Sequence, residues 1–305
     1  MSLISRRGFL RGVGMAAAAP LGASTYASAY ECGTALATTP YQSRPPGWAQ
    51  GPSLRIAMIA DIHACRPWMG EDRIADIVSL ANALKPDLTV LLGDYVCTHP
   101  YVSSYVRPEA WAEALRGLKA PMGVFAILGN HDWWSSAMPT DPPDGSKSVR
   151  EAIKSARIPL LENQAVRFTK DGKGFWMIGL GDQLAFKRPS GPHLGADDLE
   201  GALAQVKDDA PVMMLAHEPF IFRNAPQRVA LTLSGHTHGG QINLPFINRY
   251  LAPTTGHSRE YIYGAYDEGD RRLIVSGGLG TSNAPIRVLR PPEVVVVDVS
   301  APAAG

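Results

Sequence analysis

The sequence predicts an α/β fold with a mixed sheet system, and three observations carry that prediction. Apolar runs alternate with amphipathic stretches through the first half of the chain, as strand–helix–strand units do. The second half is dominated by short apolar runs of strand length with few helical stretches between them. No internal repeat or second composition regime divides the 305 residues, so one domain over 53–300 is expected, at the large end of the single-domain range.

Taken in order, residues 54–60 read as a buried strand through Ile56, Met58 and Ile59. Residues 72–84 place Ile74, Ile77, Val78, Leu80, Ala81 and Leu84 at helical spacing. A second strand is expected at 88–92, a helix at 108–118 and a third strand at 123–128. Strands follow at 175–180, 212–216, 230–233, 272–275 and 294–299, with a helix at 197–205.

Composition excludes several classes of function. Lys+Arg 29 against Asp+Glu 28 leaves a net charge of +1, so there is no basic patch for nucleic acid and no electrostatic case for an anionic membrane. Three cysteines are too few for a disulfide-built scaffold. No stretch approaches the roughly 18 apolar residues of a spanning helix, so none is expected in the mature chain.

The chain opens with Ser5-Arg6-Arg7-Gly8-Phe9-Leu10, then a mild apolar run and Ala27-Ser28-Ala29, an A-x-A site. Paired arginines, a short apolar segment and a small-residue site read as a twin-arginine export signal over 1–29. The expected location is the periplasm or cell envelope, reached through the twin-arginine export machinery. Residues 30–52, with Pro45, Pro46, Gly47 and Pro52, read as a linker without periodicity. Cys32 lies in that segment, and Ala29-Tyr30-Glu31 before it does not resemble a lipoprotein signal.

Five places put metal-ligating side chains just after an apolar strand: Asp61-Ile62-His63, Gly93-Asp94, Gly129-Asn130-His131-Asp132, His217, and Gly235-His236-Thr237-His238-Gly239-Gly240. Ligands of open α/β sheets bind at strand carboxyl ends. In an extended segment residues i and i+2 point the same way, so Asp61 with His63, and His236 with His238, each aim two side chains at one point. Imidazoles favour zinc, iron or nickel, while carboxylate and amide oxygens admit manganese. Two carboxylates, Asp61 and Asp94, offset only part of the charge of two divalent ions. The remainder favours hydroxide and an anionic substrate, the electrostatics of phosphoryl transfer.

This ordered set, D-x-H, G-D, G-N-H-D/E, a lone His and G-H-T-H, resembles the calcineurin-like metallophosphoesterase family. The continuation Gly239-Gly240-Gln241, Leu244-Pro245-Phe246, Gly278-Leu279-Gly280-Thr281 and Pro291-Pro292-Glu293 is similar to a bacterial branch whose members are often exported or membrane-associated. The resemblance implies a sandwich of two mixed sheets flanked by helices. It implies two divalent or mixed-valence metal ions (Mn, Fe or Zn). Asp61, His63 and His238 would hold the first, Asn130, His217 and His236 the second, and Asp94 would bridge. It implies a phosphoric ester hydrolase in which a metal-bound hydroxide attacks phosphorus, with His131 contacting the phosphate and protonating the leaving group.

The Ser/Thr protein phosphatases of this superfamily continue the second block as G-D-Y-V-D-R, whereas here Gly93-Asp94-Tyr95-Val96 is followed by Cys97 and Thr98. Without a carboxylate partner an imidazolium at His131 is less favoured. Without the arginine a bidentate grip on a dianionic monoester is lost. Both departures point to a phosphodiester, and a small phosphoester or phospholipid-like substrate is expected. The rival readings are a nucleotide-lipid pyrophosphatase acting on a UDP-diacylglucosamine-like substrate and a non-catalytic metal-binding scaffold.

His99, His193 and His257 match no block and read as surface or loop histidines, although His257 follows the last block closely enough to reach substrate. Arg259 and Arg287 could each meet a phosphate or a neighbouring acid, and read first as solvated or salt-bridged. Trp133 and Trp134 either form a platform beside the site or pack their loop onto the domain. Asp132 and Asp182 read equally as hydrogen-bond partners behind the ligands or as turn residues. Cys65 and Cys97 follow the first two ligand loops at similar offsets, so they lie close if those strands are neighbours, and an oxidising compartment permits a disulfide.

Overall fold

The computed structural model describes residues 30–134, 146–188, 190–244 and 260–302. The expected signal over 1–29, most of the proline-rich loop after Trp134, His257 and Arg259 lie outside these residues. Among the described residues no helix is long and apolar enough to cross a membrane.

In chain order the strands are β1 (Ala37–Ser43), β2 (Leu54–Ile59), β3 (Cys65–Arg66), β4 (Leu88–Leu91), β5 (Ser104–Tyr105), β6 (Val124–Ala126) and β7 (Gln164–Lys170). They continue as β8 (Lys173–Gly179), β9 (Val212–Leu215), β10 (Val229–Ser234), β11 (Gly264–Glu268), β12 (Arg271–Val275) and β13 (Glu293–Val299). The helices are α1 (Glu71–Ala83), α2 (Pro108–Leu115), α3 (Asn130–Trp134), α4 (Lys147–Ser155) and α5 (Leu199–Ala204).

Two mixed sheets form. The first runs β1-β13-β2-β4-β6, the second β11-β12-β10-β9-β8-β7, and β3 pairs with β5 as a small ribbon. Strands β2, β4 and β6 are mutually parallel, as are β8, β9, β10 and β12. Parallel strands buried on both faces should be apolar throughout, and β4, β9 and β10 are buried along their whole length.

The sheets face each other through one apolar layer. Ile56, Met58, Leu88, Val90, Val295 and Val297 of the first meet Phe175, Met177, Met213, Leu215, Leu231, Leu233 and Ile274 of the second. Each large side chain so buried contributes about 1.5–3 kcal/mol before entropy is counted. The alternate residues Ile59, Leu91 and Ala126 turn outward beneath Ile74, Ile77 and Ala81 of α1, Trp111 and Leu115 of α2, and Val149 and Ile153 of α4. On the far side Trp176, Ile178, Val212 and Met214 pack under Ala202 of α5 and the 3-10 turn at Ile221. The result is the helix–sheet–sheet–helix sandwich that the resemblance implies.

Local chemistry sets the helix ends. Glu71 and Asp72 lie in the first turn of α1, where the helix dipole favours acids. Pro108 opens α2 where its missing N–H costs nothing. Asp198 caps α5 by accepting from Gly201 N at 2.8 Å.

The expected linker is corrected in part. Residues 37–43 are not aperiodic chain but β1, paired parallel with all seven residues of β13. Burial alternates along β1, so its inward positions fall on Thr39, Tyr41 and Ser43 and leave no apolar run to read. Trp48, fully buried against Phe175 with its indole N–H donating to Pro52 O at 2.8 Å, anchors the segment between the sheets. Glu31 is buried too and accepts from the backbone N–H groups of Leu289 and Arg290.

Candidate metal centre

The carboxyl ends of β2, β4, β6, β9 and β10 converge, and each delivers one of the five sequence blocks. Asp61, His63, Asp94, His236 and His238 all adopt positive φ, between 45° and 69°. A non-glycine residue in that region costs roughly 1–2 kcal/mol, and such strain persists where the surroundings over-determine it. Here the abrupt turns lift the side chains off the strand ends and into one cavity. Gly93 and Gly129 let the second and third loops press together, since a Cβ on either would overlap the other loop's backbone.

Two donor clusters result, sharing one residue. Asp61, His63, Asp94 and His238 present ligand atoms within 4.8 Å of one another, and so do Asp94, His217 and His236. Asp94 Oδ2 stands 3.5 Å from His63 Nε2 and 3.2 Å from His217 Nε2. Its other oxygen accepts from His131 N at 2.8 Å. Asp61 Oδ1 accepts from His236 N at 2.9 Å, while Oδ2 is buried with no partner among the described residues. Asn130 Oδ1 lies 2.9 Å from His236 Nδ1.

Backbone carbonyls orient the imidazoles. His63 Nδ1 donates to Val96 O at 2.9 Å and His217 Nδ1 to Leu92 O at 2.6 Å, which turns each Nε2 into the cavity. His63 Nε2 and His238 Nε2 then face each other at 3.1 Å, two nitrogens that a shared cation would reconcile.

Burial shapes the protonation states. It pulls His63 down to about 4 and His236 to about 3, and it holds His238, with His63 and Arg287 beside it, well below the usual range. These rings are therefore neutral at pH 7, as ligation requires. Burial also opposes charge on His217, but Asp94, Glu218 and Asp61 outweigh it and push its pKa well above the ordinary value. In the metal-free protein a proton on His217 thus partly neutralises Asp94, and a metal would displace it. An unpartnered carboxylate oxygen, facing nitrogens and a borderline N/O donor set fit two divalent ions.

His131 sits at the rim, half-buried. Its ring is edge-on to His63 at 4.9 Å, with Nδ1 2.5 Å from Thr98 Oγ1 and Nε2 3.3 Å from Ser282 Oγ. Burial lowers its pKa, so the free ring is neutral. Thr98 therefore holds His131 directly.

The structure resolves several open readings. Asp132 is a clamp: its carboxylate accepts from Asp94 N and Tyr95 N at 2.8 Å and from Gly129 N at 2.9 Å, tying the second loop to the third. Asp132→Asn would turn an amide N–H₂ toward these donors. We expect a loss of about 3 kcal/mol, read as a fall in Tm of about 6–12 °C for a domain of this size, together with weaker metal binding. Unchanged thermal unfolding would refute the clamp.

Trp133 packs, under Arg150 and against Phe186, whereas Trp134 lies 5.4 Å from His131 with Lys187 4.2 Å over its ring. His193, read as a loop residue, makes an edge contact with Trp134 at 5.2 Å. Arg287 is not solvated. It is fully buried, donates to Gly277 O at 2.9 Å and Arg290 O at 3.0 Å, and places Nη2 3.4 Å from His238 Nδ1.

His99 is not a surface residue either. It is buried beside Cys65 and Cys97, which do lie together. Sequence reasoning missed Glu218, whose Oε1 is buried 4.0 Å from His236 Nδ1 and near Asp182. It missed Ser282 as well. Neither follows a strand in a pattern that sets it apart.

Two clusters of imidazoles and carboxylates sharing one aspartate, set at the strand ends of an α/β sandwich, define a dinuclear metal-dependent hydrolase. The family model described as calcineurin-like phosphoesterase matches residues 54–240, and the chain belongs to the calcineurin-like metallophosphoesterase family. The uncharacterized metallophosphoesterase YkuE of Bacillus subtilis is 30% identical over 305 residues, covering 97% of this chain and 98% of its own. An uncharacterized metallophosphoesterase of Aquifex aeolicus is 32% identical over 252 residues, 82% of this chain and 86% of its own. The phosphodiesterase YaeI of Escherichia coli is 29% identical over 251 residues, 80% of this chain and 82% of its own.

Proposed function

We propose that the protein is a phosphodiesterase of the cell envelope, exported by the twin-arginine signal in residues 1–29. The observation that carries the substrate class is Thr98: a hydroxyl, not a guanidinium, faces His131. A diester with one negative charge needs no bidentate arginine clamp, whereas a dianionic monoester gains most from one. The name of the E. coli relative supports the same reading. The catalytic domain spans 53–300, extended at its start by β1 and Trp48.

In this reading Asp61, His63 and His238 would hold one metal, Asn130, His217 and His236 the other, and Asp94 would serve both. When bound, such a pair supplies a nucleophilic water at neutral pH and Lewis-acid stabilisation of the phosphoryl oxygens. Val96 O and Leu92 O hold the ligating imidazoles in the tautomer that leaves Nε2 available. His131, neutral in the free protein, meets the substrate phosphate. The added negative charge raises its pKa, so the ring can hold the proton that the leaving oxygen takes. Thr98 and Ser282 fix that ring from both nitrogens.

The test compares bis-p-nitrophenyl phosphate with p-nitrophenyl phosphate, in the presence of Mn²⁺, Zn²⁺ or chelator. We expect hydrolysis that disappears with chelator, returns with metal, and favours the diester. A preference for the monoester overturns the substrate class and leaves the metal centre intact.

A further inference from the structure

Outside the two-metal centre, the structure gathers a second kind of donor set. Cys65 Sγ, Cys97 Sγ and a ring nitrogen of His99 lie within 4.8 Å of one another, and all three residues are at most 3% exposed. The juxtaposition follows from the backbone. Ala64 and Val96 form a parallel bridge, so the next residues, Cys65 and Cys97, stand opposite each other on neighbouring strand extensions. His99 lies two residues beyond Cys97, its carbonyl accepting from Tyr105 Oη at 3.2 Å beside the β3–β5 ribbon.

The imidazole is set as a ligand would be. Nε2 is engaged by Thr281 Oγ1 at 3.3 Å, and Nδ1 is buried with no partner among the described residues. A metal-bound histidine shows this division, one nitrogen fixed by a polar neighbour and the other committed to the ion. A buried nitrogen without a partner costs about 1–3 kcal/mol. A disulfide between the two sulfurs would leave that cost in place, whereas a cation satisfies all three donors together.

We propose that Cys65, Cys97 and His99 form a third metal site, separate from the dinuclear centre, for a thiophilic divalent ion of the zinc type. On binding, the two S–H bonds release their protons to solvent and two sulfur–metal bonds form, while His99 donates its Nδ1 lone pair. Two thiolates and a neutral imidazole around a divalent ion leave the buried group uncharged, which a closed apolar site requires. Sulfur ligands select zinc-class ions over the manganese that the oxygen-bearing centre admits. The ion would join three segments, after β2, after β4 and, through Thr281, after β12. Its role is to position the first two ligand loops rather than to touch substrate.

The test uses the full chain, stripped by chelator under reducing conditions and reloaded with Co²⁺ in place of Zn²⁺. We expect a near-ultraviolet sulfur-to-cobalt charge-transfer band and a third tightly held ion per chain. Cys97→Ser should lose both the band and that ion, and His99→Ala should bind the ion more weakly. Asp94→Asn should keep the band, which separates this site from the dinuclear one. If the cysteine variant does not fold, the band in the unaltered protein decides alone. No band, or a single titratable thiol when the as-purified protein is unfolded in chelator, overturns the proposal. The second result would mean that Cys65 and Cys97 are joined as a disulfide.

Discussion

Asp94→Asn should reduce kcat/KM for a diester by more than ~100-fold, since altering even the partners behind a metal ligand costs 10–100-fold. Asp94 is the one residue common to both donor clusters. Its Oδ2 faces His63 and His217 while its Oδ1 holds the His131 backbone. An amide presents one weaker acceptor where the carboxylate presents two, and it removes the charge that offsets the second ion. Metal content should fall with activity, from two ions in the dinuclear centre to one or fewer, measured by elemental analysis after gel filtration. Full metal occupancy and near-normal turnover would refute the bridging assignment. Lost activity with full occupancy would point instead to His131 displaced through its backbone.

His131→Ala should behave differently. The ring lies outside both donor clusters, so metal content should not change. A general acid is worth about 10²–10⁴-fold where the leaving group needs a proton. That loss is expected for diesters releasing an alkoxide. It should shrink for those releasing p-nitrophenolate, which departs as a stable anion. The diagnostic is the dependence of kcat on leaving-group pKa, which should steepen in the variant. An equal loss for both leaving groups would assign His131 to phosphate binding alone.

The clustering of donors was legible because the chemistry demands a pattern that survives in one dimension. D-x-H and H-T-H use the two-residue period of extended chain, and glycines mark the turns where the loops crowd together. The buried parallel strands were legible for a similar reason: both faces are covered, so β4, β9 and β10 read as unbroken apolar runs. Edge strands other than β6 escaped. β1, β7 and β11 alternate half-buried with exposed residues and carry Thr, Gln, Lys or Asp, which sequence inspection takes for loop. The β7–β8 turn at Asp171-Gly172, both at positive φ, was an available hairpin signal. α4 was hidden by four charged residues in nine, although Val149, Ala152 and Ile153 keep helical spacing.

His99 could have been found by the rule that found His63. Cys97 and His99 are also two residues apart beyond a strand, just after the Gly93-Asp94 block. Glu218 and Arg287 could not. Their roles arise from packing against His236 and His238 across the cavity, and no local spacing encodes that.

The division of ligands between the sheets has a thermodynamic consequence. Asp61, His63 and Asp94 leave strands of the first sheet, while His217, His236 and His238 leave strands of the second, so each donor cluster straddles the seam of the sandwich. A metal held there is a rivet between two halves otherwise joined by apolar packing. Any ion that binds only the closed seam stabilises the whole fold by RT ln(1 + [M]/Kd). Metal supply and mechanical cohesion become one variable. A cell compartment poor in the right ion would deprive this protein of its chemistry and slacken its architecture together.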